Sequence, residues 1–271
     1  MSPMKPLSDL PIEARRAVRF VLCDIDDTIT DHGRLPGSSL GAMERLQAAD
    51  ITVMPVTGRP AGWCDHIARM WPVGGVVGEN GALFFRYDRT ERRMHRRYWK
   101  DDEQRAADRE KLAVLAREIA EAVPGCAVAA DQPYREADLA IDFAEDVDRL
   151  PDTAIRRIVT IFEAAGATAK VSSIHVNGWF GDFDKLSMTR RAFAEFFARD
   201  IDGARDDIVF VGDSPNDAPM FGFFPNAVGV ANVRDFAGRL AAEPAWVTDA
   251  RGAAGFAELA DAILETRQDA K

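Results

Sequence analysis

The sequence predicts an α/β protein: a doubly wound parallel-sheet core with an inserted α+β domain. Two observations carry the core. The apolar run Phe20-Val21-Leu22-Cys23 ends in Asp24-Ile25-Asp26-Asp27-Thr28, and the run Ile208-Val209-Phe210-Val211 ends in Gly212-Asp213-Ser214-Pro215-Asn216-Asp217. Short apolar runs bounded by polar turns read as buried strands, and open α/β sheets gather their functional groups at the carboxyl ends of such strands. A third observation carries the insertion, because the strand–helix alternation of both chain ends breaks down in the middle.

Taken in order, residues 19–24, 51–57 and 75–77 read as strands, with helical patterns over 38–49 and 61–70 between them. A hairpin is expected over 82–87 and 94–99, followed by a long charged helix over 102–122. Strands at 127–130 and 139–143, a helix at 152–165 and strands at 169–171 and 174–176 complete the middle. Helix–strand–strand, repeated with short strand connections, implies antiparallel pairing. Alternation returns with helices at 185–198, 218–221, 233–242 and 252–266 and strands at 208–211, 227–230 and 245–247. The expected division is 1–83 plus 181–271 for the core and 84–180 for the insertion.

Composition narrows the classes. A chain of 271 residues that is 47% hydrophobic can bury one large core or two ordinary ones. A formal net charge of -10 argues against nucleic-acid and anionic-membrane partners. The basic stretch over 92–97 runs against that balance and reads as the solvated face of a hairpin. Cys23, Cys64 and Cys126 form no disulfide framework, which favours a reducing compartment. Residues 1–19 lack the apolar core of a signal peptide, and no run approaches the ~20 apolar residues of a membrane helix. The expected location is the cytoplasm.

If the two Asp-bearing strands are neighbours, Asp24, Asp26, Asp213 and Asp217 converge. Two unit charges ~4 Å apart repel by roughly 4 kcal/mol at an effective dielectric of ~20, so the cluster calls for a cation. Oxygen ligands with no His or Cys pair favour magnesium. A carboxylate at Asp24 can attack phosphorus, and the second carboxyl, Asp26, can protonate a leaving alcohol and then deprotonate water. The hydroxyl and backbone amides of Thr57-Gly58-Arg59 suit phosphate oxygens. Lys185 opens a helix, where the macrodipole gives an ammonium no benefit, so a nearby anion explains it better. Lys170 is its nearest competitor.

Asp24-x-Asp26-x-Thr28, Thr57-Gly58-Arg59, Lys185 and Gly212-Asp213-x-x-x-Asp217, in this order, resemble the haloacid dehalogenase superfamily of aspartate-nucleophile phosphotransferases. The insertion between the second and third motifs, and the turn Glu79-Asn80-Gly81-Ala82, are similar to its Cof-type branch of sugar-phosphate phosphatases. The resemblance implies a Rossmann-like core with a cap. It implies Asp24 as nucleophile and Asp26 as general acid/base. Magnesium ligands would be Asp24, the Asp26 carbonyl and Asp213, with Asp217 supporting or joining them. Thr57, Gly58, Lys185 and Asn216 would contact phosphate. Leu186-Ser187 after Lys185 departs from the branch, which usually has Gly after that lysine. Substrate choice would lie in the cap, with Asn80, Arg135, His175 and Asn177 as candidates and Trp179 either stacking on a sugar or packing under the cap. The expected activity is a magnesium-dependent phosphatase of a small phosphorylated metabolite, with a phosphomutase using the same intermediate as the alternative and a non-catalytic binding protein as a remote one.

Overall fold

The computed structural model describes residues 4–268. In chain order the elements are β1 (Lys5–Pro6), α1 (Ile12–Ala17), β2 (Phe20–Cys23), α2 (Gly37–Ala48), β3 (Thr52–Pro55), α3 (Ala61–Met70) and β4 (Val76–Gly78). The hairpin β5 (Leu83–Asp88) and β6 (Arg93–Tyr98) follows. Then come α4 (Asp102–Ala122), β7 (Ala127–Val128), β8 (Asp138–Asp142), α5 (Asp152–Ala164), β9 (Thr168–Val171) and β10 (His175–Trp179). The chain closes with α6 (Lys185–Phe196), β11 (Ile208–Gly212), α7 (Ala218–Phe223), β12 (Val228–Gly229), β13 (Trp246–Val247) and α8 (Gly252–Gln268).

The core sheet runs β1-β13-β12-β11-β2-β3, all parallel. β2 and β11 are neighbours in register, Phe20 opposite Ile208 and Cys23 opposite Val211, so their carboxyl ends open side by side. Alternate strand residues point to opposite faces. Val21, Cys23, Val53 and Val209 pack with Met43 and Leu46 of α2 and Phe256 and Leu259 of α8. Phe20, Leu22, Met54 and Phe210 pack with Met188 and Phe193 of α6 and Met220 of α7. Both faces are therefore covered, as a parallel sheet requires.

β4 extends this sheet through a parallel bridge between Val56 and Val77 and carries the antiparallel hairpin β5–β6 at its edge. The expected inserted range of 84–180 thus begins inside a hairpin that packs with the core. Phe84 enters one core cluster and Phe85 the other. The basic stretch fastens it, since Arg96 bonds Asp65 of α3 at 2.6 Å and Arg97 bonds Glu195 of α6 at 2.7 Å. The cap is a four-stranded antiparallel sheet, β7-β8-β10-β9. Its own core joins Leu112, Leu115 and Ile119 of α4 to Ile155, Ile158 and Phe162 of α5 over Leu139, Ile141 and Val176.

Three expectations change. The segment 233–242 is not a helix: 3-10 turns over Ala231–Phe236 end where Ala237 takes ψ 130° and Gly238 takes φ +75°. β10 continues to Trp179, because its pairing with β8 runs to Asp138. The short elements β1 and α1 lie in a stretch that the sequence left unassigned.

One glycine locks the core to the start of α6. Gly81 sits at φ +107°, and a Cβ there would lie 2.0 Å from the Asp184 carbonyl oxygen. Gly81→Ala should destabilise the fold by roughly 1–3 kcal/mol, read by urea unfolding. A change within ±0.5 kcal/mol would show that the turn relaxes freely and does not fix the α6 start.

Candidate active site

The loop leaving β2 is folded by its own side chains. Thr30 Oγ1 donates to the Ile25 carbonyl at 3.0 Å and accepts from the Asp27 amide at 3.1 Å, while Asp27 itself takes φ +55°. The loop leaving β11 is folded by Asp217, whose Oδ2 accepts from the amides of Asp213 at 3.1 Å and Ser214 at 3.3 Å. Gly212 makes room for this, because a Cβ there would meet Asp217 Oδ2 at 2.3 Å.

These two loops bring Asp24, Asp213 and Asp217 together, with one oxygen of each within 4.8 Å of the others. Lys185 Nζ reaches between them, 2.9 Å from Asp24 Oδ1 and 2.7 Å from Asp217 Oδ1. Lys170 lies exposed on β9 and takes no part. All four groups are buried. Burial pushes Asp24 above the ordinary carboxylate range against the pull of Lys185, and Asp217 and Asp26 add to the rise. Asp213 is raised well above that range by burial, then by Asp217 and Asp24. Burial opposes the charge on Lys185, but Asp217 and Asp24 outweigh it and hold the ammonium. Three carboxylates against one ammonium leave the cluster short of positive charge. An all-oxygen donor set of this kind fits a hard divalent cation.

The expected convergence of four carboxylates is corrected to three. Asp26 turns away toward Arg59, whose Nε lies 2.9 Å from Oδ2 and whose Nη2 lies 2.8 Å from Oδ1. The backbone brings Asp26 to the site, while the bidentate fork of Arg59 holds its carboxylate to one side.

The remaining candidates fall into two groups. Thr57 is buried at the end of the β3 segment, its Oγ1 accepting from the Arg59 amide at 3.1 Å. Gly58 passes under Asn80, close enough that a Cβ would lie 3.1 Å from Asn80 Nδ2. Asn216 accepts from Ser214 Oγ at 2.8 Å. These three sit with the core loops. Asn80, Arg135, His175 and Asn177 instead lie buried at the seam between core and cap. Asn80 and Asn177 both donate to Asp138 Oδ2, at 3.4 and 2.9 Å. Arg135 is held by Asp131 and Asp138 and donates to the Gly58 carbonyl at 2.9 Å. His175 Nε2 stands 2.9 Å from Glu145 Oε2, off the line of a hydrogen bond. Asn80, Arg135 and Asn177 bond Asp131, Asp138 and the Gly58 carbonyl, and His175 faces Glu145, so the structure places all four in the seam. Trp179 stacks on Phe183 at 5.5 Å and donates to its carbonyl, so it packs under the cap.

The open space lies elsewhere. Two adjoining cavities of about 420 and 360 Å³ share Asp27, His32, Arg149 and Ser173. One reaches Asp213 and the other reaches Asp26, Arg59 and Glu145.

Several participants escaped the sequence reading. Asn232 donates to Asp213 Oδ2 at 3.2 Å and to the Asp27 carbonyl at 2.9 Å, tying the two loops. It follows β12, so the strand-end rule was the signal that marked it. Glu79, at φ +45°, accepts from the amides of Ala61, Glu136, Ala137 and Asp138, three of them across the seam. Burial and then Asp138 raise its carboxyl, while Arg135 and the amide donors oppose the rise. Glu145 is lowered to about 2: burial alone would raise it, and His175 and Arg59 reverse that. A depressed carboxyl stabilises the fold fully above its unfolded value, and this stabilisation is lost as pH falls through about 2.

The fold and site define an α/β protein with an acidic, lysine-bridged centre beneath a cap. Residues 21–107 match the family model of the haloacid dehalogenase-like hydrolases. No curated protein matches the sequence. Among solved structures, a Thermoplasma acidophilum protein (0175) is similar at 17% identity and TM-score 0.67, over 91% of this chain and 98% of that one. A HAD/COF-like hydrolase of Plasmodium vivax is similar at 17% identity and TM-score 0.66, over 94% and 99%. The sucrose-phosphatase of Synechocystis, solved with sucrose and phosphate, is similar at 14% identity and TM-score 0.61, over 93% and 98%. Over residues 21–107 the sequence is similar to the haloacid dehalogenase-like hydrolases, and over nearly its whole length the chain shares the fold of these solved structures.

The charge shortage makes a prediction. Magnesium should raise the melting temperature of the wild type, since a ligand that binds only the native state stabilises it. Asp213→Asn should blunt that rise. Lys185→Met, which leaves three carboxylates without their ammonium, should cost about 3–5 kcal/mol in metal-free buffer, with part recovered on adding the ion. Identical melting with and without magnesium in the wild type would remove the metal site.

Proposed function

We propose that this chain is a magnesium-dependent phosphatase that hydrolyses a small phosphorylated metabolite, a sugar phosphate, through an aspartyl-phosphate. The observation that carries the reading is the buried Lys185 ammonium between Asp24 and Asp217, with Asp213 beside them. A buried ammonium held against a carboxylate at a strand end suits a nucleophile that meets a phosphoryl oxygen.

Asp24 attacks phosphorus, the bond from phosphorus to the alcohol oxygen breaks, and that oxygen takes the proton from Asp26. Water then attacks the aspartyl-phosphate and gives its proton to Asp26. The bond from phosphorus to the Asp24 oxygen breaks, releasing inorganic phosphate and restoring the enzyme. Lys185 would neutralise a phosphoryl oxygen throughout, and Thr57 and Asn216 would donate to the others. Asp24, the Asp26 carbonyl and Asp213 would hold magnesium, with Asp217 in support. When bound, the ion supplies positive charge against the phosphoryl oxygens.

The lining of the cavities supports a polar alcohol. Around the one that Asp26 lines, Asp27, His32, Arg149 and Ser173 outnumber the apolar Ala144 and Ile174. Hydroxyl-rich substrates suit such walls, since buried polar groups need partners. The likeness in fold to the Synechocystis sucrose-phosphatase supports the same class. The free cysteines support a reducing compartment such as the cytoplasm.

A screen of phosphorylated metabolites with magnesium tests the reading, and release of phosphate from at least one sugar phosphate is expected. Asp24→Asn should abolish turnover while leaving the melting temperature within a few degrees, and substantial residual turnover would remove Asp24 as nucleophile. Asp26→Asn should lose ~10²–10⁴-fold on alkyl esters and less on aryl esters, whose leaving groups need no proton. Equal losses on both, where phosphoryl transfer limits the rate, would reassign the acid.

A further inference from the structure

We propose that Arg59 is a positioning residue that couples the orientation of Asp26 to closure of the cap, an inference that rests on the phosphatase chemistry above. Arg59 lies two residues beyond Thr57, 3% exposed, with its guanidinium over the Trp63 ring at 4.3 Å. A guanidinium offers five N–H donors in a rigid planar fork. Here the fork is divided between two bodies. Toward the core, Nε and Nη2 take both oxygens of Asp26. Toward the cap, Nη2 donates to Glu145 Oε1 at 2.6 Å, and Nη1 donates to Glu145 Oε2 at 3.3 Å and Asp131 Oδ2 at 3.4 Å.

The cap acceptors are themselves fixed. The Asp142 carboxylate accepts from the amides of Ala144, Glu145 and Asp146, so Glu145 leaves a braced turn at the end of β8. Asp131 is clasped by Arg135 at 3.0 and 3.1 Å. If the cap withdraws, Nη1 loses both of its acceptors and Nη2 loses one. Water can then replace these acceptors but, being mobile, does not fix the plane of the fork, so the closed cap is what holds the fork in one alignment. The fork in turn fixes the Asp26 carboxylate beside the cavity that Asp26 and Glu145 both line. A lysine at this position would keep the charge but could not bridge both sides, because an ammonium is a point donor on a flexible stem.

The consequence lies in proton transfer. Asp26 gives its proton to the alcohol oxygen as the bond from phosphorus to that oxygen breaks, so misplacing it harms esters in proportion to their need for that proton. Arg59 would thereby permit full chemistry only beneath a closed cap.

The test compares Arg59→Lys and Glu145→Gln with the wild type on glycerol phosphate and p-nitrophenyl phosphate, with magnesium. Arg59→Lys should lose ~10–100-fold in kcat on the alkyl ester, within the range general acids supply, and several-fold less on the aryl ester. Glu145→Gln should show the same split with a smaller loss. A second readout needs no turnover: the amides of Glu136, Ala137 and Asp138, which donate to Glu79 across the seam, should exchange hydrogen faster in both variants. Equal losses on both esters, or unchanged exchange at these amides, overturn the coupling and leave Arg59 a structural tether. A wild type that hydrolyses no phosphomonoester overturns the phosphatase reading itself, and with it this inference. If Arg59→Lys fails to fold by circular dichroism, Glu145→Gln carries both measurements, because its side chain is 27% exposed and partly solvated.

Discussion

The arrangement depends on a shortage of positive charge. Asp24, Asp213 and Asp217 are buried at the ends of two adjacent parallel strands, and Lys185 is the ammonium placed among them. Burying ions costs several kcal/mol each even after relaxation, and one ammonium cannot offset three carboxylates. Such a cluster persists only because the rest of the fold holds it. The strands are fixed by packing on both faces, Asp217 is fixed by the amides of its own loop, and Asn232 ties the Asp213 loop to the Asp27 loop. The same tension suits the site to a cation, since a centre short of positive charge gains most from the group that supplies it.

The seam solves a second electrostatic problem in a different way. Asp26, Asp131, Asp138, Glu145 and Glu79 approach one another across it, and here arginines and amides satisfy them. Arg59 serves Asp26, Asp131 and Glu145; Arg135 serves Asp131 and Asp138; backbone amides serve Glu79. Arg59 and Glu79 reach from the core to partners in the cap, and Arg135 reaches from the cap to the Gly58 carbonyl of the core. A seam of apolar side chains would hold in many relative positions, whereas charged forks have few good geometries. The small apolar patch of Ala82, Trp179 and Phe183 accompanies this network.

What was legible in the sequence follows from how local its cause was. Apolar runs ending in Asp gave the two central strands, and alternation gave the parallel sheet, because burial on both faces leaves that pattern in any chain. Lys185 was legible because an ammonium at a helix start has no local reason to be there. The direction of the Asp26 side chain was not, since period-two geometry places a residue on a face but does not say which partner awaits it. Arg135, His175 and Asn177 were legible as residues of the seam, but their engagement with Asp131, Glu145 and Asp138 depends on residues brought close only by folding. The 233–242 segment carries helical periodicity, yet Asn232 is used to join two loops and Gly238 turns the chain away. Tertiary demands overrode local preference there.

The two electrostatic solutions meet at Asp26. Its backbone belongs to the charge-deficient centre and its carboxylate to the satisfied seam, two residues from Asp24. In the proposed mechanism Asp26 gives up a proton and then accepts one, work that suits a polar setting and a held position. Placed among the other three carboxylates, Asp26 would deepen a repulsion that already raises Asp24 and Asp213. Held by Arg59, it stays beside the cleft with its charge countered, adding less to that repulsion than Asp217 does, and the cap that supplies the remaining acceptors of Arg59 also lines the cleft. In the phosphatase reading proposed above, specificity and proton transfer would share one physical element, because the cap that lines the cavity with Ala144, Ser173 and Ile174 also supplies the carboxylates that steady the arginine.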